Sequence, residues 1–276
     1  MKVASWPVIV SAFVLMAVSF GGVDKTRPPS AKPDGQVWDS GTFGIFVSGK
    51  RLGTEKFQIE RMAGFSVASS EFQIENGSFK ADQKSEMEIT PSGDLRSYIW
   101  QATSPQKEEC VVDLKDQFLI EHITPADQKK LDIQHLLPAS TAILDDNFFS
   151  QRELLLWRYL ATACPKRGNQ LTCRAATFPV LVPQEHVSED ATLELLGQEQ
   201  VMINGAKELL NKIRLRTGGP QKVMWLNDKG EESDMSWLLW VDEDYKLVKM
   251  TAAGSNVEVV RDAGRPAAGM PAGVKR

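Results

Sequence analysis

The chain holds 276 residues, 42% of them hydrophobic, with seven Trp, twelve Phe and a formal net charge of −4. That is ample apolar material for one large β domain or two small ones. Basic residues are scattered among acidic ones, which excludes the electrostatic footprint of a nucleic-acid binder and a polybasic membrane patch, so no nucleic-acid partner is expected.

Met1–Phe20 reads as a targeting segment: Lys2 is the positive n-region, Trp6–Phe20 is a nearly unbroken apolar run, and small residues follow. Residues 1–22 are therefore expected to be a signal peptide. The alternative is an uncleaved N-terminal anchor, since Val3–Val23 is long enough to span a bilayer, and membrane association is expected through that segment alone. Residues 23–36, with three prolines and no apolar periodicity, read as a disordered linker. The implied location is periplasmic or secreted in a bacterium, and the expected folded unit is a single β-rich domain over residues 37–262.

Within it, Phe43, Ile45 and Val47 alternate with smaller residues, Ser48-Gly49-Lys50 is a turn signal, and Leu52–Ile59 returns as the second arm of a hairpin. Phe65–Glu75 alternates through Phe65, Val67 and Ser69, then slips phase to Phe72 and Ile74, which predicts a bulge. Asn76-Gly77 is a strong hairpin signal, because both positions tolerate positive φ. Phe79–Thr90 returns as a polar strand with one wet face. Leu95–Ala102 offers apolar groups to both sides, and Cys110–Leu114 with Phe118–Ile123 forms a hairpin around Lys115-Asp116.

Asp132–Leu144 is irregular and leads into the one strongly helical segment, Asp145–Ala163, with the helix at about 146–163. Phe148, Phe149, Leu155, Leu156, Tyr159, Leu160 and Ala163 share a face that Leu154 and Trp157 widen, so this helix must be covered on most sides. Two starts fit: Asp145 or Asp146 as N-cap, or Ser150 with Glu153 as a capping box. Pro165 ends it. Cys164 and Cys173, separated by an eight-residue polar loop, are expected to form a disulfide, leaving Cys110 as a buried thiol in a strand. Strands follow at Thr177–Val182, Thr192–Ile203, Ala206–Thr217 around Asn204-Gly205, Lys222–Leu226, Ser236–Val241, Tyr245–Ala252 and Asn256–Arg261. Residues 263–276 read as a disordered tail.

The fold class expected is mainly β (α+β): a large curved antiparallel meander, or half-open barrel, packed around one long central helix, because a sheet of that size curls and its apolar face needs filling. No catalytic constellation is read. His122, His135 and His186 lack ligand-like spacing, so no metal or cofactor is expected. Acidic pairs such as Glu108-Glu109 fall in turns. Aromatic residues are the enrichment that points to a ligand. Trp237, Leu239 and Val241 face one way while Leu238 and Trp240 face the other, so that either both faces of this strand are buried or one lines a cavity. The candidate ligand-binding residues are Trp100, Phe149, Trp157, Trp225, Trp237 and Trp240.

Gly41–Ile59, with its glycines at 41, 44, 49 and 53, resembles the opening hairpin of uncharacterised exported bacterial β-meander proteins, and Trp240–Lys249 resembles their closing hairpin. The architecture is similar to the curved sheet with inner helices of the periplasmic lipoprotein-carrier (LolA-like) superfamily, although the helix here lies mid-chain and no functional residue of the carriers is matched. The double-sided apolar strand and the aromatic helix point to a non-enzymatic envelope protein that binds or carries a hydrophobic, lipid-like ligand. The alternative is a structural or protein-interaction module of the envelope with no small-molecule ligand.

Overall fold

The computed structural model describes residues 35–77, 79–116, 118–126, 129–167, 170–218 and 236–263. Eight antiparallel strands run in chain order: β1 (Gln36–Val47), β2 (Lys50–Arg61), β3 (Ser66–Asn76), β4 (Phe79–Ile89), β5 (Leu95–Ser104), β6 (Glu108–Lys115), β7 (Phe118–Pro125) and β8 (Leu131–His135). After the short β9 (Ala142–Ile143) and the helix α1 (Ser150–Ala163) come a two-stranded ribbon, β10 (Lys166–Arg167) with β11 (Gln170–Leu171), and a second meander. It comprises β12 (Ala176–Val182), β13 (Val187–Ile203), β14 (Ala206–Thr217), β15 (Ser236–Val241), β16 (Leu247–Ala252) and β17 (Val257–Arg261).

The two meanders join where β1 pairs with β17, so the first and last strands lie in the middle of one 15-stranded sheet whose edges are β8 and β9. β9 pairs parallel with β12. The sheet is open along the hydrogen-bonding direction, yet its ends approach each other: the Leu95 amide at the start of β5 donates to the Ala139 carbonyl just before β9, and His186, after β12, meets Glu121 on β7. The curl places Phe43, Ile45, Phe72, Tyr98, Val180 and Leu239 in one core with α1.

α1 sits inside that curl, as the sequence pattern requires. Phe148, Phe149, Leu156 and Tyr159 have no exposed surface. Sheet residues reach it from both meanders: the Phe149 ring meets Trp237 of β15 edge-on at 6.2 Å, and the Tyr159 hydroxyl accepts from the Leu195 amide of β13. The helix is shorter than expected. It has 14 residues, about 21 Å at the α-helical rise, and Phe149 stands at the N-cap with no side-chain cap bond of its own. Neither Asp145 nor Asp146 caps it, and Ser150 is already helical; the cap comes from the sheet.

Three further expectations are corrected. β3 has no register shift against β2 or β4, so the phase slip near Ser69 is not a bulge. Ala68, Ser70, Phe72 and Ile74 alternate inward without interruption, and the small polar Ser70 only disguised the inner face. At the β3–β4 hairpin Asn76 pairs with Phe79, so Asn76 is the last strand residue and Gly77, at φ 63°, begins the turn. By contrast Asn204 and Gly205 both take positive φ between the paired Ile203 and Ala206, as expected. Finally, α1 does not simply interrupt one sequential order, because β1 and β17 pair across the whole chain. The strand expected at Lys222–Leu226 lies outside the described residues.

The second meander carries a second layer. Pairing of β13 with β14 shifts between Leu195 and Gly197, and Gly197 takes φ 116°. Beyond this point the hairpin leans over the outer side of β15, β16 and β17: Ile203 and Leu210 bury Trp240 and Val248, and the Asn204 side chain donates to the Arg261 carbonyl. Both faces of β15 are thus buried, the inner by α1 and the outer by the hairpin.

Candidate functional site

The residues that hold α1 in place are polar, and they come from several strands, from the adjoining loops and from the helix itself. Glu55 of β2 is fully buried beneath the helix N-terminus. Its carboxylate accepts from the Phe149 amide at 2.7 Å, the Ser150 amide at 3.2 Å, the Ser150 Oγ at 2.7 Å and the Ser70 Oγ at 2.8 Å. A carboxylate there meets orphan amides and the positive end of the helix dipole together. Burial pushes the Glu55 carboxyl up against these bonds. The Tyr98 hydroxyl of β5 donates to Asp145, whose other oxygen accepts from the Gln184 amide. Arg152, 1% exposed, donates to the Asp145 and Phe148 carbonyls and lies over the Phe149 and Trp237 rings. On the opposite flank Glu153 accepts from the Leu247 amide and from Arg261, which also grips Asp39 of β1 through two bonds at 3.1 and 2.8 Å. These groups fix the helix and leave little room beneath it; the gap between α1, β4 and β9 is about 40 Å³.

Space for a ligand lies instead along the outer flank of α1. One compartment of about 500 Å³ runs between the second half of the helix (Leu154, Trp157, Arg158, Ala161) and the β2–β3 and β4–β5 turns (Met62, Phe65, Ile89). A second, of about 320 Å³, is bounded by Leu160, Cys164, Leu171 and Tyr245. Trp38, Trp157 and Ala161 line both, so the two compartments adjoin at this pair of tryptophans and are treated together as one cleft. Trp38 is 56% exposed, its ring 5.4 Å from that of Trp157, and the Trp157 indole donates to the Tyr245 carbonyl. An exposed tryptophan beside an apolar cleft of this size is the usual composition of a ligand site.

The six residues singled out from sequence do not converge. Trp157 is in this cleft. Trp100 lines a separate groove of about 310 Å³ at the far end of β3–β5, with Phe72, Phe79, Asp146 and Glu185. Phe149 and Trp237 are core residues packed on each other and on Arg152. Trp240 is on the outer face, under the β13–β14 hairpin, with its indole donating to Glu199. Trp225 lies outside the described residues. Trp38, the most exposed of the described tryptophans named here, was missed: it is the second residue after the proposed linker and lies outside the alternating run of β1. Its neighbour Val37 carries the same signal, an apolar side chain before the hairpin begins.

Spacing also hid a second constellation. Glu121 of β7, fully buried, accepts from His186 Nδ1 at 3.0 Å, and His135 Nε2 of β8 stands 3.4 Å from the same oxygen. His186 holds a left-handed φ of 58° to make this contact. Hydrogen bonding to Glu121 raises the His186 pKa although burial opposes it. His122 is elsewhere, on the surface with Asp132 and Asp113. Among the described residues no group of three or more His, Cys, Asp or Glu is arranged to hold a metal ion, and no helix is long and apolar enough to cross a membrane.

Cys164 and Cys173 form a disulfide with an S–S distance of 2.06 Å, tying the end of α1 to the segment before β12, and Cys110 is a buried free thiol. Burial, with Glu121, Asp145 and Glu108 adding to it, pushes the Cys110 thiol well above its ordinary range. A structural disulfide of this kind is consistent with an exported protein.

No protein-family model matches the chain, and no curated protein matches it. Among solved structures it is similar to a β-barrel-like protein of a domain of unknown function, DUF1849, from Brucella abortus, at 9% identity and a TM-score of 0.47, over 80% of this chain and 93% of that one.

Proposed function

We propose that the protein is an exported bacterial envelope protein that binds an apolar, lipid-like ligand without turning it over, and that the ligand lies in the cleft between α1 and the β2–β3 and β4–β5 turns. One observation carries this reading: the half-exposed Trp38 packed at a tilt against Trp157 where two apolar compartments meet, left open by the described side chains. A solvated tryptophan and aliphatic walls are costly to leave in water, and a bound chain would remove that area from it. The buried carboxylates support binding rather than hydrolysis, because Glu55, Asp145 and Glu153 are engaged in holding the helix. The likeness to lipoprotein carriers enters at this level, as an expectation about ligand chemistry; here the interior that a carrier would use is occupied by α1.

Native mass spectrometry of protein purified from its host, followed by titration with a fluorescent fatty-acid probe, tests the reading. A co-purifying apolar ligand, and probe binding that Trp157→Ala weakens about tenfold, is the expected result. Ligand-free protein that takes up no probe would refute it. The side-chain-filled interior favours a second reading, an envelope interaction module with no small-molecule ligand. A cross-linked protein partner mapped to the same cleft, with no small molecule, would favour that one.

A further inference from the structure

The cleft is not electrically neutral. Its larger compartment is lined by two cationic side chains, Arg61 and Arg158, and by no carboxylate. Arg61, at the end of β2, extends over the Trp38 ring at 5.4 Å, and Arg158, on α1, lies over the Phe178 ring and against Gly93 with one donor on the Ser140 carbonyl. Neither makes an ion pair with a described residue, whereas Arg51 and Arg261 are each matched to a carboxylate. Burial lowers the Arg158 pKa, and Asp94 acts on it only through its charge. Guanidinium groups that are not held in an ion pair favour an anion, and their planar fork suits a carboxylate. The smaller compartment beyond the tryptophan pair is bounded by Leu160, Leu171 and the rings of Trp38 and Trp157; its charged residues are Asp244 and Lys246, the latter paired with Asp39.

Resting on the reading above that the cleft takes an apolar ligand, we propose that its occupant is a long-chain carboxylic acid, with the carboxylate between Arg61 and Arg158 and the chain threaded past Trp38 and Trp157. Charge complementarity fixes the polarity of the ligand. Phospholipid would place a phosphate at the same arginines but needs room for a second chain.

The test compares palmitate, hexadecanol, hexadecylamine and dioleoylphosphatidylglycerol for displacement of a neutral fluorescent alkyl probe from the full chain, at pH 7.5 and low salt. Palmitate is expected to compete at least tenfold better than the alcohol or the amine. Arg61→Gln, at an exposed position, is expected to cut that advantage several-fold and leave the alcohol unchanged. Arg158→Gln acts in the same direction, and Arg158→Lys restores part of the loss, which separates charge from packing. Equal competition by palmitate, alcohol and amine, or indifference of palmitate to both arginine substitutions, overturns the anionic assignment while the apolar cleft stands. Stronger competition by phosphatidylglycerol than by palmitate overturns the single-chain assignment. If no compound competes and the neutral probe itself does not bind, the parent reading fails and the proposal with it.

Discussion

Glu55 closes the N-terminus of α1 from 94 residues away in sequence. Ordinary caps are local, a Ser or Asp immediately before the first turn; here two such candidates are present and unused, because Asp145 serves Tyr98 and Gln184 instead. Removing the carboxylate orphans two buried amides and leaves the Ser70 and Ser150 hydroxyls only each other as partners. Glu55→Ala should therefore cost about 3 kcal/mol, since each unsatisfied buried donor costs roughly 1–3 kcal/mol and the helix start can partly relax. Urea denaturation checks this, and Glu55→Gln should lose less. Titration at single residues makes a second prediction. Burial pushes Asp145 up to about 7, and burial with Glu185 and Asp145 nearby pushes Asp146 up to about 8. Each keeps in the fold a proton that the unfolded chain releases near pH 4, so their contribution declines as pH rises from about 4 toward those values. The raised His186 acts in the same sense: its contribution is complete below its ordinary value of 6.5 and is lost as pH rises through the folded value. The urea midpoint should be higher at pH 6 than at pH 8, and Asp146→Asn and His186→Asn should each flatten that difference. A midpoint that rises from pH 6 to pH 8 would contradict both assignments.

At the scale of elements, the β13–β14 hairpin depends on one backbone position. A Cβ at Gly197 would meet nothing within 4 Å, so a side chain there is opposed by its φ of 116° alone. Gly197→Val should cost about 1–3 kcal/mol and free the hairpin end, which a red-shifted tryptophan emission from Trp240 and new protease cleavage between residues 198 and 210 would report. Unchanged emission and protease resistance would show that the bend is not held by this glycine. The same elements show what the sequence could reveal. Alternating strands, the Asn204-Gly205 turn, the apolar helix and the double-sided β15 were legible because each is written in residues close together. The β3 inner face was misread because Ser70 occupies a core position in order to bond Glu55, and polar residues in a core break the pattern that identifies it. The β13–β14 overlay could not be foreseen, since it arises from a torsion at one glycine. Glu121, His135 and His186 share no spacing, because only the curl of the sheet brings β7, β8 and the β12–β13 turn together.

For the whole molecule, one consequence of the curl governs function. A sheet of fifteen strands whose ends approach each other encloses space, and the chain fills that space with its own helix rather than leaving it for cargo. The room for a ligand is displaced to the flank of the helix, between Trp38, Trp157 and the turns at one rim. The aromatic residues chosen from composition therefore divide between core, overlay and two separate grooves, and only their three-dimensional placement separates packing from binding. Everything turns on α1 being an integral part of the core, held by side chains from both meanders. Hydrogen–deuterium exchange of the full chain measures this directly. The amides of Leu155, Leu156 and Tyr159 should exchange only on global unfolding, as slowly as those of Ile45 in β1 and Leu239 in β15. Exchange of those helix amides within minutes, while the strands remain protected, would show that the helix is not the filling of the sheet.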